Sequence, residues 1–189
     1  MSTFEKTPDI LTLEPLLEAV RGGIEQAGWV LSGLQKTTSH GFEGRWAGEA
    51  TRSAYLFFHR EDLPDSVSVE AFLDETSRGL RGNLSLVLDG PRLGRLGSVR
   101  DVIRRVAAAA RETLPDPARS PVSVKLTLAG RSGGAEEAET QIRVKLLLSG
   151  AAVKKSAASV SAFATQGISA FEALLECPEV AELLPSVMD

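Results

Sequence analysis

The chain has little of what disulfide-bonded and metal-dependent proteins need. Its 189 residues include one cysteine and two histidines. Cys177 cannot form an internal disulfide, and as a nucleophile it would need a distant histidine partner. His40 and His59 have carboxylates nearby in sequence, but no further ligand follows at the spacing of a hydrolytic zinc site. We therefore predict no catalytic residue set, no metal site and no cofactor.

Long apolar runs are also missing. No stretch reaches the roughly 18 to 20 apolar residues that a membrane-spanning helix requires. The N-terminus has no basic segment followed by an apolar run, as a secretory signal would have. The single cysteine is consistent with a reducing compartment. The sequence thus predicts a soluble cytoplasmic protein with no membrane partner.

Two runs in the second half alternate between apolar and polar residues. In residues 122–128 and again in 142–148, the aliphatic side chains recur at every second position. This period is typical of half-buried strands, so we predict an antiparallel hairpin with one aliphatic face. The connection over 130–140 is rich in glycine and glutamate and is expected to be a solvated loop. Its carboxylates are not expected to bind a metal, because a flexible loop does not hold them at one point.

A long helix with a narrow apolar seam is predicted for residues 151–176 and is expected to cover the hairpin. The seam is made mostly of Ala, Val and Gly, which permits close approach to a sheet or to another helix. Two interpretations stay open, since the helix could lie only on its own sheet or could also mediate self-association. Apolar residues beside the seam, Phe163, Ile168 and Leu175, favour the second. The candidate interaction residues are Val153, Ala157, Val160, Ala164, Gly167 and Phe171.

The residue pattern of the first half predicts a helix, several strands, a second helix and a strand. Thr12 is a candidate N-cap and Gly28 the stop of the first helix, and the second begins at Ser66 or Ser68 and closes at Gly79. The predicted strands are 10–13, 29–37, 42–47, 52–59 and 83–89. This order resembles a ferredoxin-like sandwich, a fold that carries no functional content.

The second half adds a helix over 98–114, the hairpin, the long helix and a short helix over 178–184. We therefore predict an α+β fold in which antiparallel sheets are covered by helices. A ferredoxin-like module over 1–97 is followed by a helix–hairpin–long helix unit over 98–189. The two units could be separate or form one continuous domain.

Arginine is concentrated in the middle of an acidic chain. The formal net charge is −4, yet residues 78–111 hold eight arginines against two aspartates. Three glycines lead into the helix at 98, which gives a weak anion-binding candidate. Its residues are Arg92, Arg95, Ser98 and Arg100. A nucleic-acid partner is disfavoured, because no aromatic side chains are interleaved with these arginines.

The sequence thus predicts a non-enzymatic cytoplasmic protein that binds other proteins, as an adaptor, chaperone-like protein or scaffold, and that forms a homo-oligomer. The alternative is a module that binds a small molecule or an anion. Its apolar pocket would lie between the sheet and the long helix and include Trp29, Trp46, Tyr55 and Phe57. A nucleic-acid-binding regulator ranks below both.

Overall fold

The computed structural model describes residues 12–39, 51–76, 78–89, 99–114, 123–129, 137–148 and 150–184. In these ranges the helices are α1 (Leu13–Gln26), α2 (Val99–Thr113), α3 (Gly150–Lys155), α4 (Ala157–Glu176) and α5 (Pro178–Ala181). The strands are β1 (Val30–Ser39), β2 (Thr51–His59), β3 (Val67–Thr76), β4 (Gly79–Asp89), β5 (Ser123–Ala129) and β6 (Glu137–Leu147). None of the helices in these ranges is long and apolar enough to cross a membrane.

The strands form one antiparallel sheet in the order β1-β2-β3-β4-β6-β5. The predicted α+β class, with an antiparallel sheet covered by helices, is confirmed. The pairing of β4 with β6 sets Leu86 opposite Val144. Strands from both predicted modules therefore share a single sheet.

One side of the sheet carries the core. Alternate residues of the inner strands, such as Leu56 and Phe58 of β2 and Leu84 and Leu86 of β4, are fully buried there. α1, α2 and α4 supply the other half of this core, with Leu16, Val106 and Phe171 buried against it. The helices thus form a layer on one face of the sheet.

The helix predicted from Ser66 or Ser68 to Gly79 is wrong, because this segment is strand β3 and pairs with both β2 and β4. Val67, Val69, Ala71 and Leu73 are buried and alternate with more exposed residues, so the true period is two. The ferredoxin-like first half therefore lacks its second helix. Gly79 has a φ of +115° and begins β4, where it is paired with Thr76.

The single long helix predicted over 151–176 is also corrected, because it is divided into α3 and α4 at Ser156. This residue is extended, and its Oγ accepts a hydrogen bond of 3.1 Å from the Ser159 amide. A serine side chain that caps a helix in this way starts a new helix at its own position. α3 and α4 are therefore two separate helices, and α4 begins directly after Ser156.

The other predicted elements agree with the structure where it describes them. α1, β1, β2, α2, the hairpin of β5 and β6, and the short helix α5 are confirmed. Glu137 and Glu139, predicted for the hairpin loop, lie in β6. The predicted strand 42–47 lies outside the described residues, and of the predicted strand 10–13 only Leu13 is described, at the start of α1.

Candidate functional site

The face of the sheet opposite the helix layer carries side chains that the core does not use. We call it the open face, and no helix of the described ranges packs on it. Alternation in β2 places Leu56 and Phe58 on the core side and Tyr55 and Phe57 on the open face. Tyr55 is 39% exposed and Phe57 36%. Large aromatic side chains are therefore presented to solvent from an inner strand.

The strand register arranges the open face in rows that run across the sheet. One row consists of Tyr55, Phe72, Asn83 and Leu147. The next row consists of Phe57, Glu70, Ser85 and Lys145. In both rows β4 contributes the small residue, between longer side chains on β3 and β6. The face is therefore hollow along β4.

This hollow has a volume of about 180 Å³. We call it the β4 hollow, and its lining combines three aromatic rings with two cations. Side chains of the open face that line it include Tyr55, Phe57, Glu70, Phe72, Asn83, Ser85, Arg143 and Lys145. Ser85 is buried, and its hydroxyl donates to Asn83 Oδ1 at 3.1 Å.

The aromatic side of the hollow is held by packing within the sheet. The rings of Tyr55 and Phe72 have centroids 4.8 Å apart and are tilted by 42°, a separation at which aromatic pairs attract each other. Phe57 lies over Gly33 of β1, where an added Cβ would be 3.3 Å from the ring atom Cδ2. The rings are thus held in position by contacts within the chain itself.

On the other side of the hollow, one of the two cations is already neutralised. Arg143 Nη1 lies 2.5 Å from Glu70 Oε2, and Nη2 lies 3.2 Å from Oε1. The same guanidinium donates to Gln141 Oε1 at 2.9 Å. Arg143 is therefore held in a two-point ion pair that fixes its position.

Lys145, two residues further along β6, is half-buried and forms no ion pair with any residue of the described ranges. At the far end of the face, Asp74 accepts hydrogen bonds from Ser53 and from Arg81. The charged side chains that line the hollow are thus one carboxylate, Glu70, and two cations, Arg143 and Lys145. The ammonium group of Lys145 is the uncompensated charge.

The hollow holds aromatic rings, amides, hydroxyls and an ion pair, but no histidine and no base paired with a nucleophile. In the part of the chain that the structure describes, no group of three or more His, Cys, Asp or Glu side chains is placed to hold a metal. The chemistry it offers is apolar contact combined with charge recognition.

The predicted interaction residues of the long helix lie mostly inside the chain. Val160, Ala164, Gly167 and Phe171 are buried, Val153 is half-buried, and Ala157 is exposed. A Cβ on Gly167 would be 3.0 Å from Leu84 Cδ1 and 3.3 Å from Leu146 Cδ1. Of the three residues that suggested a wider surface, Ile168 and Leu175 are buried and Phe163 is half-buried. The seam is therefore occupied by α1 and by the sheet of the same chain.

Of the four predicted anion-binding residues, the structure describes only Arg100. Arg92, Arg95 and Ser98 lie outside the described residues. Arg100 is exposed in the first turn of α2. Arg104 Nη1 lies 3.7 Å from Asp101, and Arg105 Nη1 lies 3.0 Å from Glu182. Arg104 and Arg105 of α2 thus form ion pairs with carboxylates of the same chain.

The aromatic residues predicted to enclose one pocket are divided between the two sides of the sheet. Trp29 is buried in the core, where its indole N–H donates to Glu172 Oε1 at 3.3 Å and the guanidinium of Arg60 lies 5.6 Å from its ring centroid. Tyr55 and Phe57 lie on the open face. Trp46 is outside the described residues. Trp29 and the two β2 residues therefore cannot line a common cavity.

Cys177 is one of the remaining candidates for reactivity, and the structure describes it. Burial raises the pKa of the Cys177 thiol, and Glu179 and two further carboxylates act in the same direction. The thiolate is therefore disfavoured at neutral pH. Residues 130–134 match the letters of the nucleophile motif G-x-S-x-G, but that motif connects a strand to a helix, and here it stands between β5 and β6. Residues 130–134 and His40 are outside the described ranges.

The open face was not predicted as a site, although the sequence carries a signal for it. Residues 55–58 are apolar on both faces of a strand, a pattern typical of an inner strand. β2 is indeed paired on both sides, with β1 and β3. Only one of its two faces is covered by helices.

Comparison of the chain with protein-family models, with curated proteins and with solved structures finds no significant match.

Proposed function

We propose that the chain is a non-enzymatic, cytoplasmic protein that binds another polypeptide through the open face. The observation that carries this proposal is the exposure of Tyr55 and Phe57 on an inner strand, beside Phe72. Leu147, at the other end of the row and beyond Asn83, is 63% exposed. Exposed apolar side chains bordered by polar groups in this way mark protein interaction sites. Tyrosine and phenylalanine are also enriched in such interfaces.

The size of the β4 hollow supports a polypeptide over a small molecule. Pockets for drug-sized ligands have volumes of about 300 to 1,000 Å³. The hollow has about 180 Å³, room for part of a ligand such as a single side chain. A protein partner would fill the hollow with one residue and lie over the flanking rows with its other residues.

A second copy of the chain is the second candidate partner, and the same face would form the contact. Val160, Ala164, Gly167 and Phe171, the central residues of the seam that predicted self-association, are buried and not available to another chain. Among the large apolar residues that are exposed, Tyr55, Phe57 and Leu147 lie on the open face. If the partner is a second copy, the open faces of the two sheets pack against each other in the homo-oligomer.

Site-specific photo-crosslinking tests both candidates. A benzophenone amino acid replaces Phe57 in one variant and Ala162, exposed on α4, in a control variant. We expect covalent protein adducts in the native host from position 57 and none from position 162. An adduct at twice the 20.1 kDa mass of the chain identifies a second copy, and other masses identify a different partner. Absence of adducts from position 57 would overturn the proposal.

A further inference from the structure

We infer that the occupant of the β4 hollow is an acidic segment of a partner protein, one that places an apolar side chain against Tyr55 and Phe72 and a carboxylate next to Lys145. This inference rests on the proposed function and names the chemistry of the partner. It follows from three properties of the hollow, which are its charge, its shape and the ion pair beside it.

The first property is the charge. Lys145 lines the hollow, is half-buried, and has no ion-pair partner in the described part of the chain. An incoming carboxylate would meet there a cation that no carboxylate of the described ranges pairs with. The lining of the hollow is therefore net positive, with Arg143 and Lys145 against Glu70, on a chain with a net charge of −4.

The second property is the shape. Asn83 and Ser85 are the short side chains of β4, and they form the floor between the aromatic residues of β2 and β3 and the cations of β6. A side chain that enters here touches aromatic rings on one side and stands near an ammonium group on the other. A segment with an aromatic or aliphatic residue close to Asp or Glu satisfies both sides.

The third property is the Arg143–Glu70 ion pair. It occupies the position beside Lys145, and its two-point geometry keeps the guanidinium on Glu70. The ammonium group of Lys145 is thus the source of the positive potential in the hollow. Glu70 would repel a carboxylate that entered nearer to β3. The pair therefore determines on which side of the hollow an incoming carboxylate is placed.

The same charges disfavour a second copy as the occupant. Two hollows packed against each other would each bring Lys145 to the contact, while the one carboxylate of each lining, Glu70, is already paired with Arg143. Like charges brought together in an interface act against binding. A heterologous acidic partner avoids this repulsion.

The test uses the purified full chain and a phage-displayed library of random 12-residue peptides. We expect selected peptides to be enriched in Asp or Glu near Phe, Leu or Met, and their binding to weaken as NaCl is raised from 50 to 500 mM. Lys145→Glu is expected to weaken binding by about tenfold or more, a typical result of replacing one partner of a charge pair. The control Lys154→Glu makes the same charge change at an exposed position of α3 and should leave binding unchanged.

Thermal unfolding of each variant establishes that the fold is kept, and Lys145→Ala provides a second variant without a new negative charge. The selected peptides could bind Lys145→Glu and Lys145→Ala as tightly as the unchanged chain and yet fail to bind Tyr55→Ser. That result would overturn the inference of an acidic partner, while the open face would remain the binding surface. If no selected peptide depends on Tyr55, both the inference and the proposed function are contradicted. A fluorescent oligonucleotide bound through Lys145 would also overturn the inference, in favour of a nucleic-acid partner.

Discussion

Gly23 of α1 lies directly against Ala164 of α4. A Cβ added to Gly23 would be 2.8 Å from the Ala164 methyl and still closer to the Ser161 carbonyl oxygen. The helices therefore touch through their backbones, and α1 is also held there by the hydroxyl of Thr165, which donates to the Gly23 carbonyl at 3.0 Å. We expect Gly23→Ala to lower the free energy of unfolding by about 1 to 3 kcal/mol, since the helices must separate to admit the methyl group.

Gly22, the adjacent residue, provides the matched control. Nothing lies within 4 Å of a Cβ added there. Gly22→Ala is expected to raise the free energy of unfolding by up to about 1 kcal/mol, because alanine favours the helix interior over glycine. Urea unfolding of the two variants measures the difference. Equal effects of the same sign would show that the helices are not in close contact at Gly23.

A second prediction concerns the two faces of β6. Leu146 is 1% exposed on the core side and Leu147 is 63% exposed on the open face. Leu146→Ala should cost about 2 to 5 kcal/mol of stability because it leaves a cavity in the core. Leu147→Ala should change stability by no more than about 0.5 kcal/mol. Chemical denaturation checks both, and similar losses would contradict the assignment of the faces.

A third prediction concerns Cys177. Burial and the neighbouring carboxylates raise the pKa of its thiol. We expect its alkylation by iodoacetamide at pH 8 to be slower than that of a free cysteine, and the rate to reach half its maximum at a higher pH. The rate is measured by mass spectrometry across a pH series, with N-acetylcysteine as the reference. A midpoint at or below that of the reference would refute the prediction.

A fourth prediction concerns acid stability. The hydrogen bond from Arg60 lowers the pKa of the Asp62 carboxyl in the folded chain, where Arg60 Nε lies 2.6 Å from Asp62 Oδ1. A carboxyl with a lowered folded pKa stabilises the fold above its unfolded pKa, about 3.9, and this contribution is lost as the pH falls further, through the folded value.

Asp62→Asn should therefore reduce stability at pH 7 and flatten its decline below about pH 4. The effect is expected to be small, since Asp62 is exposed and the pair is screened by solvent. Asp65→Asn, at an exposed position of the same loop, is the control. Thermal unfolding between pH 3 and 7 measures both variants, and identical pH profiles would rule out a contribution from the Arg60 pair.

Sequence periodicity correctly predicted the elements whose apolar pattern fits only one kind of secondary structure. α1 and β6 place apolar residues at spacings that fit only a helix or only a strand. β3 does not, because Val69, Phe72, Leu73 and Thr76 fit a helix while Val67, Val69, Ala71 and Leu73 fit a strand. The pairing of this segment with β2 and β4 decides in favour of the strand, and those partners are not visible in a local window.

The functional site was harder to predict for a related reason. Tyr55 and Phe57 alternate with Leu56 and Phe58, so the sequence shows a strand that is apolar on both faces. It does not show that α1, α2 and α4 all pack on the same side. For α4, the spacing of Ala164 and Gly167 correctly indicated close approach, but spacing alone does not distinguish a neighbour in the same chain from one in another copy.

The β4–β6 pairing has a consequence for synthesis on the ribosome. β4 is complete before α2, β5 and β6 have been translated, so until then one of its edges has no partner strand. Such an edge is a template for pairing with other chains. We therefore expect the nascent N-terminal half to be prone to aggregation, and release of the chain before Leu147 would leave that edge without its partner strand.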